Sequence, residues 1–203
     1  MDLRDITEVI AALHERLEPV ERANSLADVL EGQRPNARKA AVLLALFEQH
    51  GETYLVFIRR ASTLRSHSGE IAFPGGSVDP SDSSPIMAAL REAQEEIGLD
   101  PAGVEVLGVL EPVFTVVSNF LIIPVVAFLP QGLGTLQLQA SEVTEIILAS
   151  LRDLTNPDIF HTEEWMRAGR TRTIYFYDYG SYRIWGATAR ILNALLETLG
   201  WSA

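Results

Sequence analysis

Apolar and polar positions alternate with two different periods along this chain. Leu3, Ile6, Ile10, Leu13 and Leu17 recur at helical spacing, and the segment stops at Pro19. A second short helix is expected over Asn24–Leu30, ended by Gly32. Lys39–Phe47 is an unbroken apolar run of strand length. After a His50-Gly51 turn, Thr53–Ile58 is rich in β-formers, so the two runs read as a hairpin. Glu70–Phe73 reads as a further strand. Val104–Leu110 and Pro112–Val117 follow as strands. Asn119–Leu129 is strongly apolar, but Pro124 demotes it to an edge, a bulge, a strand start or one interrupted strand. Ser141–Leu148 begins polar and becomes a strand, and Leu151–Leu154 reads as a helical turn. Asn156-Pro157 breaks the chain, and His161, Glu163 and Glu164 are expected on a surface loop. Arg172–Tyr177, Gly180 and Tyr182–Trp185 make a terminal hairpin, and Gly186–Leu199 an amphipathic helix with Ile191, Leu195 and Leu199 on one stripe. The pattern by itself gives a chain of mixed α and β.

One more helix is marked at both ends. Ser84-Pro85 supplies a cap and a first-turn proline, and Gly98 stands where a helix stops. At about 100° per residue, Glu92, Glu95 and Glu96 fall within roughly one quadrant. Ile86, Ala89, Leu90, Ala93 and Ile97 take the opposite side, toward a core. Like charges at these spacings cost roughly 0.2–0.5 kcal/mol per pair on an exposed helix. A divalent cation reverses that sign, and hard oxygen ligands suit Mg2+ or Mn2+. A solvated acidic face is the plainer alternative on the helix alone. Gly75 and Gly76, just after the Glu70–Phe73 strand, permit close backbone approach and an exposed carbonyl beside those carboxylates.

Composition narrows the function. The 203 residues suit one domain, with 47% hydrophobic and 21% charged residues. A net charge of −11 argues against a nucleic-acid surface, which needs a basic patch. With no cysteine there is no disulfide, thiolate nucleophile or Cys-ligated zinc. No signal-type apolar core opens the chain and no run reaches membrane-spanning length, so a cytoplasmic protein without membrane partners is expected.

The run from Gly76 to Leu99 resembles the Nudix box, G-x5-E-x7-R-E-U-x-E-E-x-G-U with U bulky and apolar. Gly76, Arg91, Glu92, Glu95, Glu96, Gly98 and Leu99 match. Asp82 replaces the first Glu, eight residues rather than seven separate it from Arg91, and Ala93 replaces a bulky residue. Upstream, Arg60, Ala61, Arg65, Gly69 and Phe73-Pro74-Gly75-Gly76 keep the spacing of the signature L-L-T-x-R-[SA]-x3-R-x3-G-x3-F-P-G-G of the coenzyme A pyrophosphatase subfamily. Val56-Phe57-Ile58 replaces its L-L-T portion. The YRIWGATARIL segment also resembles the end of such domains, where its aromatic residues either line a base or acyl pocket or pack the core.

The resemblance spans roughly Ala40 to Leu199. It implies an α/β fold, a Nudix-type α/β/α sandwich with a mixed sheet, over 37–203, with 1–36 as an N-terminal helical extension packed on the domain. It implies metal-dependent hydrolysis of coenzyme A or acyl-coenzyme A to 3′,5′-ADP and (acyl-)4′-phosphopantetheine. Other nucleoside diphosphate derivatives (ADP-ribose, a dinucleotide, an oxidised nucleotide) and a non-catalytic binding module stay open as alternatives. The metal set is Glu92, Glu95, Glu96 and the Gly75 carbonyl. Arg91 orients the glutamates, and Glu95, Glu142 or Glu145 takes the water proton. Arg60, Arg65, Gly75 and Gly76 are the substrate-binding candidates. Asp79 and Asp82 are outer ligands or turn formers. The partner is a small nucleoside diphosphate, coenzyme A first, with a homodimer left open.

Overall fold

In the computed structural model, which describes residues 1–34, 36–62, 68–167 and 169–202, the longest apolar run becomes a strand buried on both faces. This strand, β1 (Arg38–Gln49), turns at His50 and Gly51, both with positive φ, into β2 (Glu52–Arg60). The two strands pair only near their turn, from Gln49 opposite Glu52 to Leu46 opposite Leu55. Below that they fork. β3 (Ile71–Ala72) pairs with β2, and β4 (Gly75–Ser77) pairs with β1, so the glycine segment fills the fork. The Pro74 carbonyl accepts from the Leu43 N–H at 2.8 Å to close it.

The chain then forms a helix, α3 (Pro85–Ile97), and three strands, β5 (Glu105–Val109), β6 (Val113–Thr115) and β7 (Phe120–Phe128). β7 runs parallel to β1 and antiparallel to β5 and β6, and β8 (Val143–Ser150) pairs with the other edge of β2. The result is an eight-stranded mixed sheet. Period-two alternation sorts its side chains. Ala41, Leu43, Ala45, Val56, Ile58, Ile123 and Val125 face α3, while Leu44, Leu46, Leu55, Phe57 and Val126 face the other way.

Helices cover both faces. On the α3 side lies α2 (Arg22–Gln33), through Ala23 and Leu26. On the other side lie α1 (Ile6–Arg16), a short α4 (Leu151–Leu154) and α5 (Gly186–Thr198). The chain between α1 and α2 rounds the sheet edge by an antiparallel bridge, Glu18 and Val109 exchanging N–H···O bonds of 3.1 and 3.0 Å. Gly108 permits this approach, because a Cβ there would lie 2.7 Å from the Glu18 carbonyl and from Leu17. A second sheet contains β9 (Phe160–Arg167), β10 (Arg170–Tyr179) and β11 (Tyr182–Trp185), in the order β11-β10-β9.

The α/β/α sandwich with a mixed sheet is as expected, and four local readings change. Pro124 sits inside an uninterrupted central strand. Its missing N–H does no harm because it lies opposite the break between β5 and β6, while its carbonyl accepts from Leu110. His161, Glu163 and Glu164 belong to β9 and not to a loop. They lack an apolar face because pairing with β10, not burial, holds them extended. Helix α2 is longer than Asn24–Leu30 and contains Gly32, and α1 ends three residues ahead of Pro19. No helix of the described residues is long and apolar enough to cross a membrane.

Candidate active site

α3 is built to hold one polar stripe against the fork. The Ser84 hydroxyl accepts from the Met87 N–H at 3.3 Å, Pro85 occupies the first turn, and Gly98 ends the helix at φ 72°. Ala88, Ala89, Ala93 and Ile97 are buried against the sheet. The small alanines let the helix lie close to β1 and β4, which brings its glutamates to Gly75 and Gly76.

The three box carboxylates differ sharply in surroundings. Glu96 is 1% exposed, its Oε2 accepting from the Gly75 N–H at 2.9 Å and its Oε1 3.4 Å from Arg60 Nη1. Glu92 is half-buried, and a Cβ on Gly76 would lie 2.5 and 2.6 Å from its oxygens. Gly76 is therefore a cradle for that carboxylate. Gly75, at φ 150°, is equally constrained, since a Cβ would overlap Ala41 and Val42 of β1. The Glu95 side chain is 60% exposed, 3.5 Å from Arg91.

Arg91 is the hub. Its Nε and Nη2 donate to the two oxygens of Asp82 at 3.1 and 3.0 Å, Nη2 also to the Ser77 carbonyl at 3.1 Å, and Nη1 to Glu92 at 2.9 Å. Asp82 itself accepts from the Asp79 N–H at 2.8 Å and completes the turn before the helix. Its pairing with Arg91 holds the Asp82 carboxyl below the ordinary range and holds the proton on Arg91 still more firmly.

Glu92 moves the other way. Burial raises its pKa, the Arg91 hydrogen bond opposes this, and the charges of Glu95 and Glu142 add to the rise. Glu96 is pushed up to about 7, first by burial and then by Glu92 and Glu142, against the Gly75 amide and Arg60. A buried and a half-buried carboxylate beside a third thus face too little positive charge. Arg60 has the complementary fault, an Nε that is buried with no hydrogen-bond partner.

The donor set fits a hard divalent cation. It consists of carboxylate oxygens with unfavourable mutual repulsion, beside a backbone cleared of Cβ atoms. Among the described residues no three acidic or histidine side chains converge as a formed metal cluster. Glu92 is turned onto Arg91, Glu96 onto Gly75, and Glu95 toward solvent.

The two later glutamates part company. The Glu142 carbonyl accepts from the Ala61 N–H at 2.7 Å, and Gln139 ties the same loop to the C-terminal turn of α3 through the Glu96 carbonyl at 2.9 Å. Glu142 is thereby set beside Glu92 and Glu96, whose protonation its charge favours. A bulge between Arg59 and Arg60 shifts the register of β8, and Glu145 falls on the α5 face. There it accepts from the Tyr182 hydroxyl at 2.5 Å and pairs with Arg59 at 3.3 Å.

Arg60, Gly75, Gly76, Arg91, Glu92, Glu96 and Glu142 are therefore brought together, with Glu95 at the rim and Glu145 on the opposite face. Arg65 lies outside the described residues. The role of Asp82 as the clamp on Arg91 is absent from a helical wheel. Its one signal was its place near that of the box's first Glu. The tie between Tyr182 and Glu145 had no signal, because it joins residues 37 apart across two sheets.

Comparison with known proteins agrees with this geometry. The NUDIX domain family model matches residues 37–168. A protein of Photorhabdus laumondii named "Uncharacterized Nudix hydrolase NudL" is 41% identical over 162 residues, covering 80% of this chain and 85% of its own. Its namesake in Citrobacter koseri is 37% identical over 179 residues, covering 88% and 92%. Among solved structures, a MutT/nudix family protein from Enterococcus faecalis superposes with a TM-score of 0.53 at 17% identity, over 89% of this chain and 71% of that one, a likeness of fold.

Proposed function

The chain belongs to the Nudix family, and from that premise we propose that this Nudix hydrolase cleaves the diphosphate of coenzyme A or an acyl-coenzyme A. The products are 3′,5′-ADP and (acyl-)4′-phosphopantetheine. The observation that carries the substrate reading is the position of Arg60. This arginine belongs to the segment that resembles the coenzyme A signature, and it stands against Glu96 of the box helix with its Nε unpartnered. Signature and box are thus parts of one site.

Nudix enzymes generally use divalent metal ions. Glu92, Glu95, Glu96 and the Gly75 carbonyl are the groups that would hold Mg2+ or Mn2+. Such an ion, when bound, supplies charge neutralisation of the diphosphate and acidifies an attacking water. Arg91, anchored by Asp82, keeps Glu92 oriented on the Gly76 cradle. The guanidinium of Arg60, whose side chain is partly exposed, offers donors to a phosphate oxygen, and Arg65 is assigned the same duty from its place in the signature. Glu142 takes the proton of the attacking water, since it is next to the carboxylate pair while Glu145 is committed to Arg59 and Tyr182.

The test is hydrolysis of coenzyme A with Mg2+ or Mn2+, beside ADP-ribose, NADH and nucleoside triphosphates, with products resolved by chromatography. Preferential release of 3′,5′-ADP supports the reading. Preference for another diphosphate keeps the Nudix chemistry and removes the coenzyme A assignment. Absence of turnover with every substrate transfers the site to a binding role.

A further inference from the structure

Glu145 is a sequence-predicted acid to which the proposed chemistry gives no task. It stands at the irregular point of the β2–β8 ladder. Glu145 is opposite Arg59, but Val143, not Thr144, is opposite Arg60. Thr144 is thus the extra residue of a bulge, and its hydroxyl donates to the Arg59 carbonyl at 3.3 Å. The change of phase shows in the side chains. Val143 and Glu145 are two apart, and in a regular strand they would point the same way. Instead Val143 is 1% exposed in the apolar cluster under α3, while Glu145 meets Arg59 and Tyr182.

The bulge decides where Glu142 stands. The Glu142 carbonyl accepts from the Ala61 N–H at 2.7 Å. In an unbulged ladder Val143 would take the place opposite Ala61, and Glu142 would lie one residue farther on, about 3.3 Å away. Arg60 leaves from the same point. Its N–H donates to the Glu70 carbonyl at 3.0 Å, its carbonyl accepts from the Gly69 N–H at 3.1 Å, and its side chain reaches Glu96. A bulge interrupts the ladder, so its register needs a further hold. Three side chains provide one. The Tyr182 hydroxyl of β11 donates to Glu145 Oε1 at 2.5 Å, and Arg59 Nη1 reaches Glu145 Oε2 at 3.3 Å. The Arg59 guanidinium also lies over the Tyr182 ring, 5.6 Å from its centre. Both oxygens of Glu145 are therefore engaged between β2 and β11. The group is partly exposed, so it adds little to global stability, and what it fixes is geometry.

We propose that Glu145, Arg59 and Tyr182 are positioning residues, a lock on the β2–β8 register that keeps Glu142 beside Glu92 and Glu96. The assignment rests on the reading of Glu142 as the base, and two readouts separate the lock from that reading. The first is amide hydrogen exchange of the full chain, followed by NMR. The second is kcat, KM and their pH dependence with coenzyme A and Mg2+, or with ADP-ribose or NADH if the wild-type chain cleaves one of those better. Tyr182→Phe and Glu145→Gln should each speed exchange of the Ala61 amide at least about tenfold, with the melting midpoint nearly unchanged. Glu145→Gln should lower kcat about 10–100-fold with KM within about twofold. The acid limb of its pH profile should remain, because the base is displaced and not removed. The double variant should be no worse than Glu145→Gln, since both changes act through one contact. Glu142→Gln, by contrast, should lose the acid limb. An Ala61 amide that exchanges as in the wild type in both variants overturns the lock, whether or not the chain hydrolyses any substrate. Faster exchange with unchanged kcat overturns the positioning role. Loss of the acid limb in Glu145→Gln overturns it as well, because Glu145 would then itself be the base. If Glu142→Gln keeps both rate and limb, the base reading fails by itself and the exchange result still decides the lock.

Discussion

Glu96 is where burial and chemistry oppose each other most directly. The folded protein holds its proton up to about 7, whereas the unfolded chain releases it near the ordinary value of 4.5. Between those values the folded state binds more protons, so its stability falls as pH rises through the window. The difference between the two charge states is on the order of 3 kcal/mol. In thermal melts of metal-free protein in EDTA, the midpoint should drop as pH rises from about 5 to about 8, and Glu96→Gln should flatten the slope. An unchanged slope in that variant would assign the effect elsewhere. Gly76 makes the companion case. Gly76→Ala places a methyl group where the Glu92 carboxylate lies, so the carboxylate must move while the strand stays paired. Displacement by about 1 Å at a reacting site costs on the order of a hundredfold in rate. Turnover should fall by that order with little change in the melting midpoint.

At the scale of an element, α3 and the turn before it act as one piece. Asp82 closes the turn through the Asp79 N–H and grips the helix through Arg91. Asp82→Asn keeps the shape and removes the charge. Loss of such an orienting partner typically costs about 10–100-fold in activity, and here it should appear in kcat with KM nearly unchanged. An equal fall in both would mean that the clamp serves binding. The other end of the helix is held by Gly98, at φ 72° and with Gln137 N 2.9 Å from a would-be Cβ. Gly98→Ala should lower unfolding free energy by more than about 1 kcal/mol in urea titrations. Both ends of this helix were legible from Ser84, Pro85 and Gly98, because caps depend on local chemistry. Pro124 and β9 differ from the sequence expectation for the converse reason. Whether a proline or a polar segment is tolerated in a strand depends on the pairing partner, which lies elsewhere in the chain.

At the scale of the molecule, the N-terminal segment works as a brace. α1 and α2 lie on opposite faces of the sheet, and the link between them pairs with the β5 edge at Val109. Ile6, Val9 and Leu13 are buried beside α5, on the face away from the box helix. Leu13→Ala should therefore cost about 2–5 kcal/mol in equilibrium unfolding and leave kcat of the folded enzyme unchanged. A matching fall in kcat would show that the brace also shapes the site.

By itself the sequence determined the strand and helix periods, the caps of α3 and the spacing of the box residues. Alternation, capping and the box spacing act over a few residues and are written in contiguous text. Only the tertiary structure decided which glutamates meet. Glu142 and Glu145 are three positions apart, yet Glu145 is paired in β8 opposite Arg59 and tied to Tyr182, whereas Glu142 lies just before the strand with its carbonyl held by the Ala61 N–H. It likewise decided that Glu92 rests on Gly76 and that Asp82 holds Arg91. These outcomes depend on strand pairing and burial between distant segments, and no local pattern of residue types encodes them.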